Sequence, residues 1–336
     1  MTLAHAASAS RKAARLRFAR ENGTLIVLIL FCVLASIASG GMFLRPSNIG
    51  TILYQASIIG VLALGQMMVI IAGGIDLSVV TILILSATVM GGAGSERQAT
   101  MMLSGTLPFI GFWPALLAGF GVAAGAGLVN GLVITRLHIP AFITTLSSAL
   151  LMSGIVLILT GGTPIYYPDP FYAAFGQQTL FGIAAPTYIP VVLALLCAWI
   201  LSRTAFGKKL YAVGSSERAA LHSGISAGRV RLAVYTLNGV FAGIAGFMFL
   251  SRTGSISYTS GETLLLTCLA AVVVGGIALR GGNGGVKHAA SGVLLLAALS
   301  NFMNIMVISP HVQDVVNGAV ILVAVSIYGF LQPEQT

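Results

Sequence analysis

Residues 59–90 read IGVLALGQMMVIIAGGIDLSVVTILILSATVM. Two apolar runs are separated by GGIDLSVV (73–80), which sets two glycines, a carboxylate and a serine inside a greasy stretch. In a soluble protein such a stretch is a turn between core helices. In a bilayer it is a deliberate break, because a carboxylate among lipid-facing side chains is expensive. Composition decides between the two. Of 336 residues, 57% are hydrophobic and 7% charged, against about 25% charged in a soluble domain, and mean hydropathy is +0.98. Such a surface does not face water.

Repeated apolar runs able to cross a ~30 Å hydrocarbon core predict an all-α polytopic membrane protein. No succession of short alternating segments favours a β-barrel. Runs bounded by charge, Gly and Pro place spans near 25–44, 50–72, 77–93, 113–135, 141–160, 186–202, 230–250, 263–279, 287–307 and 313–331, about ten transmembrane helices. The expected organisation is a basic cytoplasmic segment over 1–23 and a single transmembrane domain over 24–336. RKAARLRFARE (11–21) before TLIVLILFCVLASIASGGMF (24–43) superficially resembles a signal peptide. Its apolar stretch exceeds the usual 7–15 residues, which favours an uncleaved first span.

The net charge of +9 does not point to nucleic acid, because the cations follow the positive-inside pattern. With a cytoplasmic N-terminus, Arg11, Lys12, Arg15, Arg17, Arg20, Arg136, Arg203, Lys208, Lys209, Arg218, Arg229, Arg231, Arg280 and Lys287 fall inside. Arg45, Arg97 and Arg252 fall outside. One span more or fewer would scatter the second-half cations, so both termini are expected in the cytoplasm. Cys32, Cys197 and Cys268 sit in apolar runs without paired spacing and read as buried small hydrophobes. The five histidines show no metal spacing, and Lys208 and Lys209 after Gly207 do not complete a P-loop.

Two connections are long. The outer one covers 161–185; the inner one, RTAFGKKLYAVGSSERAALHSGISAGR (203–229), is strongly basic. Within it Ser215 and Ser216 are good N-caps and Glu217 suits the positive end of a helix. Arg218, Ala219, Ala220 and Leu221 continue a short amphipathic helix that Gly224 closes in the left-handed conformation. This is either a docking element on the cytoplasmic face or a solvated helix on lipid headgroups.

TAFGKKLYAVGSSERAALHSGI (204–225) resembles the cytoplasmic coupling segment of ribose-type sugar permeases of bacterial ABC importers. GGIDLSVV resembles that family's GGIDLSVG signature. LVNGLVITRLHIPAFITTL (128–146), VVVGGIALRGGNGGV (272–286) and SPHVQDVVNGAVILVAV (309–325) resemble its corresponding stretches, in order. Val80 departs from the family's Gly, Ile277, Ala278 and Arg280 from a hydroxyl-rich stretch, and Ser-Ser-Glu-Arg from Gly-Asn-Pro. The resemblance implies a bacterial inner-membrane subunit that dimerises with a second permease chain, homo- or heteromeric. It implies that a periplasmic binding protein delivers a monosaccharide or polyol. It also implies that a separate ATPase, gripping 215–221, carries ATP and Mg, so that this chain needs no cofactor.

GGIDLS (73–78) and GGIALR (275–280) share Gly-Gly-Ile-x-Leu, each between two spans and pointing the same way across the membrane, a weak internal repeat with interrupted helices. Gly73, Gly74, Gly275 and Gly276 are expected to end helices, with Asp76 capping the next at, or just below, the cytoplasmic boundary and Ser78 in its first turn. The resemblance ties this break to the inner gate. Gln66, Asn130, Asn238, Asn301, Asn304 and Asn317 lie within spans, where they act as interhelical glue or line a sugar pathway. Gly121/Gly125, Gly127/Gly131 and Gly239/Gly243 read as faces for close helix approach. GISAG (224–228) fits a hydrolase formula without its strand or partners, so an enzyme is not expected. The competing transport reading is an ion-coupled carrier using Asp76.

Overall fold

The computed structural model describes residues 22–101, 108–167 and 170–331. The cations Arg11–Arg20 and nearly all of the segment 1–23 lie outside the described residues. Each of the ten apolar stretches holds a helix. Six are long and apolar enough to cross a membrane: α2 (Pro46–Ile71), α5 (Phe112–Arg136), α6 (Ala141–Thr160), α8 (Tyr188–Arg203) with the short 3-10 turn before it, α11 (Ala227–Thr253) and α13 (Val286–Ile305). Shorter apolar helices are α1 (Asn22–Ala38), α3 (Val79–Gly94) and α12 (Glu262–Val274). The last helix is α14 (Pro310–Leu331), and α4 (Glu96–Met101) is a single turn after α3.

Burial sorts these helices into inner and outer. In α3 every residue but Thr81 is buried, and α2 is buried without interruption from Val61 to Ile71. Around this centre pack α11 against α5, α2 and α3, and α13 against α2 and α12. The outer helices α6 and α8 bury only 22% of their apolar window, against 78% for α2. Leu150, Leu151, Leu195 and Trp199 all stand out from that surface, each more than half exposed. An apolar patch of this size is tolerable only against lipid, so the chain is a multi-pass membrane protein.

One close helix crossing, α5 on α11, is made by glycine. Gly127 of α5 and Gly239 of α11 face each other backbone to backbone, and a Cβ on either would overlap a main-chain carbonyl of the other helix. Gly131 and Gly243 extend this seam along Leu232 and Ala123. Gly121 and Gly125 do not belong to it: open space surrounds both. Spacing along a helix does not say which side meets a partner.

The long outer connection is structured. Strand β1 (Ile165–Tyr166) pairs with β4 (Ser255–Ile256), α7 (Pro170–Gln177) packs on α11, and β2 (Thr179–Leu180) forms a hairpin with β3 (Ile183–Ala184). The inner connection holds two helices where one was expected: α9 (Ala205–Ser215) and α10 (Glu217–His222). Thr204 caps α9, its Oγ1 accepting from Gly207 N at 3.3 Å.

Candidate functional site

Both Gly-Gly-Ile motifs end a helix by the same device. After α2, Gly73 N–H donates to Ile70 O at 2.9 Å and Gly74 N–H to Val69 O at 3.0 Å. After α12, Gly276 N–H donates to Val273 O at 2.9 Å and Ile277 N–H to Val272 O at 3.2 Å. These are Schellman closures with the left-handed residue at Gly73 (φ +79°) and Gly276 (φ +95°). The motif alignment pairs Gly73 with Gly275, but the structure pairs Gly73 with Gly276. Gly275 is still helical at φ −60°, and it is held there by close packing, since a Cβ would overlap His288 O.

The two breaks touch. Gly282 N–H donates to Ile71 O, the last carbonyl of α2, at 2.9 Å, and a Cβ on Gly281 would meet the Gly73 backbone at 2.9 Å. The end of α9 fills the remaining side. A Cβ on Gly214 would overlap Ile71 O and lie 2.5 Å from Gly282 N, and Tyr211 Oη donates to Gly284 O at 2.9 Å. Three stretches far apart in sequence thus share one glycine-lined contact.

Asp76 is fully buried. The expected N-cap at the boundary needs correction: Ser78 holds that position, with αR backbone and no capping bond from its side chain. Asp76 instead closes an Asx turn, Oδ1 accepting from Ser78 N at 2.8 Å and Ser78 Oγ at 2.6 Å. Its Oδ2 accepts from Asn238 Nδ2 at 2.8 Å, and Asn130 Nδ2 donates to Ser78 Oγ at 2.8 Å. With its amide oriented donor to acceptor, Gln66 donates to Asp76 O at 3.3 Å and accepts from Asp76 N at 3.2 Å. Gln66 lies five residues before the end of α2, so the chain turns back by roughly 7 Å before α3 begins. The length argument, which put Asp76 at or just below the cytoplasmic boundary, did not foresee this reentry.

The amides read as interhelical glue or as pathway lining therefore divide. Gln66, Asn130 and Asn238 are buried and committed to Asp76 and Ser78, which is the glue reading. Asn301 Oδ1 accepts from Asn48 Nδ2 at 2.9 Å, and Asn304 Oδ1 from Gln313 Nε2 at 2.8 Å. Tyr235, missed in the sequence, is buried and donates to Ile75 O at 3.2 Å; a Cβ on Gly74 would collide with its hydroxyl oxygen.

Ser216, not Ser215, caps α10, its Oγ accepting from Ala219 N at 3.3 Å, while Ser215 ends α9. Glu217 pairs with Arg231 of α11 at 2.7 Å, and Ala220 is the buried residue of the turn. Gly224 (φ +74°) closes it with Gly224 N–H to Leu221 O and Ile225 N–H to Ala220 O, each 2.9 Å. Arg218, Ala219 and Leu221 remain exposed.

Residues 48–325 match the family described as the branched-chain amino acid transport system / permease component. The ribose import permease protein RbsC of Bacillus subtilis is 38% identical, covering 91% of this chain and 92% of that protein. The fructose import permease protein FrcC of Rhizobium meliloti is 34% identical over 90% of this chain and 83% of its own length. The L-arabinose transport system permease protein AraH of Escherichia coli K12 is 30% identical over 91% and 89%. No solved structure matches the chain. A match across nearly the whole helical body settles the family: this chain belongs to the branched-chain amino acid transport system permease components, and it is a transport component rather than an enzyme.

Proposed function

We propose that this chain is the transmembrane permease subunit of an ATP-binding-cassette importer that carries a monosaccharide or related polyol across the bacterial inner membrane. The observation that carries the reading is the 38% identity, over nine-tenths of both chains, to a ribose import permease. The chain crosses the membrane ten times with both termini in the cytoplasm, and it pairs with a second permease subunit, identical or related. A periplasmic binding protein supplies the sugar.

A separate ATPase, which holds ATP and Mg, grips the exposed face of α10. Its closure moves α9 and α10 as a unit, and Gly214 transmits that motion to both helix breaks at once. Gly73, Gly74, Asp76, Ser78, Gly275 and Gly276 then act as the inner gate. Supporting this are the contacts of Gly214 with Ile71 and Gly282, because no flexible linker separates the docking helix from the breaks. The reading of Asp76 as an ion-coupling carboxylate draws no support from the relatives. The test is reconstitution: this chain with its ATPase and binding protein, in proteoliposomes, takes up D-ribose, D-fructose or L-arabinose only with ATP inside the ATPase compartment. Uptake by the chain alone, or uptake driven by an ion gradient, would overturn the proposal.

A further inference from the structure

Where a sugar rests inside the chain is a separate question, and its answer depends on the importer reading. The geometry points to a cavity of about 500 Å³ between α2, the end of α11, α12, α13 and the start of α14 as a resting site for a neutral polyhydroxylated ligand. Small-molecule sites span about 300–1,000 Å³, so one sugar fits with water to spare.

The lining is unusual for this chain. Ten of its seventeen residues are polar, in a sequence that is 57% hydrophobic. Most of the ten carry hydroxyls or amides, groups that both donate and accept and so match sugar hydroxyls. Several are uncommitted. The Gln55 Oε1 is buried without a partner, and among the described residues the side chains of Thr263, Ser300 and Asn317 make no hydrogen bond.

The charges argue for a neutral ligand. Arg252 is stacked over the Tyr54 ring at 4.6 Å, and Asp314 is the opposing carboxylate on the wall. Neither sign prevails, so the cavity is not built for an anion or a cation. Phe249 supplies an apolar surface for the C–H face of a sugar ring.

Position makes this a station on a path rather than an isolated hollow. Its walls on α2 and α12 belong to the two helices that end in the Gly73 and Gly276 closures. From Thr267 to Val274 is seven residues, about 10 Å of helix. Opening the breaks would extend the cavity along the same helices toward α9. Binding here must be weak, because a carrier has to release what it takes.

The test uses the assembled importer with ATP and binding protein withheld. Modification of Ser300→Cys by a bulky maleimide is expected to slow severalfold in excess transported sugar and not in sodium chloride of equal osmolarity, and completed modification stops uptake once ATP and binding protein are restored. The double variant Thr263→Val with Asn317→Leu removes two uncommitted partners. It is expected to lower uptake by about tenfold while the ATPase subunit still co-purifies. Labelling indifferent to sugar, or full uptake after Ser300→Cys has been modified, would overturn the site while leaving the importer reading in place. If the unmodified complex carries no monosaccharide or polyol, the importer reading falls and the site falls with it.

Discussion

Asp76 joins four helices through partners that carry no charge. Its turn opens α3, its Oδ2 accepts a bond from α11, Ser78 Oγ accepts one from α5, and its backbone is held by α2. An interhelical hydrogen bond between neutral groups in a membrane contributes only ~0.6 kcal/mol, but a buried carboxylate raises the stakes, because losing the Asn238 donor leaves Oδ2 without a protein partner. Asn238→Leu is therefore expected to cost about 1–3 kcal/mol or more, read as a lower midpoint of thermal unfolding in detergent. Asp76→Asn has an escape: Asn238 Oδ1 is buried without a partner and can accept from the new amide if Asn238 turns over. Near-normal accumulation with reduced sugar uptake is expected for Asp76→Asn, and poor accumulation for Asp76→Leu. Wild-type uptake by Asp76→Asn would reduce the residue to a packing role.

Between elements, glycine sets the distances. The contact of Gly127 with Gly239 brings α5 and α11 together without side chains, so Gly239→Leu forces main chains apart and is expected to abolish accumulation of folded protein. Gly121→Leu on α5 meets open space and is expected to accumulate normally; size-exclusion profiles of the two variants distinguish a packing seam from an ordinary lipid-facing surface. Gly214→Val tests a different contact. It should leave the chain assembled with its ATPase but uncouple hydrolysis from uptake, because the added methyls push α9 off Ile71 and Gly282. The sequence exposed the helices and α10 well, since apolar length, Ser216 and Gly224 are local signals. It hid α9, whose Gly207, Lys208 and Lys209 read as loop. The tell was Phe206, Leu210 and Val213 at helical spacing behind a Thr cap, with Gly207 small because it crosses the end of α8. It also misaligned the two breaks by one residue, since letters match motifs while hydrogen bonds match helix ends. Asp76 kept its depth hidden for a related reason: a residue count along α3 carries no information about the reentry fixed by Gln66.

Across the whole molecule, charge and shape agree on a direction. The described cations Arg136, Arg203, Lys208, Lys209, Arg218, Arg229, Arg231, Arg280 and Lys287 lie at the helix ends around α9, α10 and the two breaks, whereas Arg45 and Arg252 lie at the opposite ends of α2 and α11. In the proposed topology, which follows the positive-inside rule, the first group lies in the cytoplasm, where an ATPase would reach α10. The arrangement makes a sharp demand on labelling. Phe181 at the tip of the β2–β3 hairpin and Val307 between α13 and α14 are 90% and 89% exposed, while Leu137 and Leu221 are exposed at the other end. Cys197 and Cys268 are buried, so replacing Cys32 with Ser leaves a quiet background. Phe181→Cys and Val307→Cys should react with a membrane-impermeant thiol reagent in cells whose outer membrane has been permeabilised. Leu137→Cys and Leu221→Cys should react only once the inner membrane is broken. In the proposed path a single membrane-crossing helix, α6, lies between Leu137 and Phe181, and a single one, α8, between Phe181 and Leu221. Same-side labelling of either pair would remove a crossing and turn α10 away from any cytoplasmic ATPase, so this one experiment bears on the topology and on the coupling mechanism together.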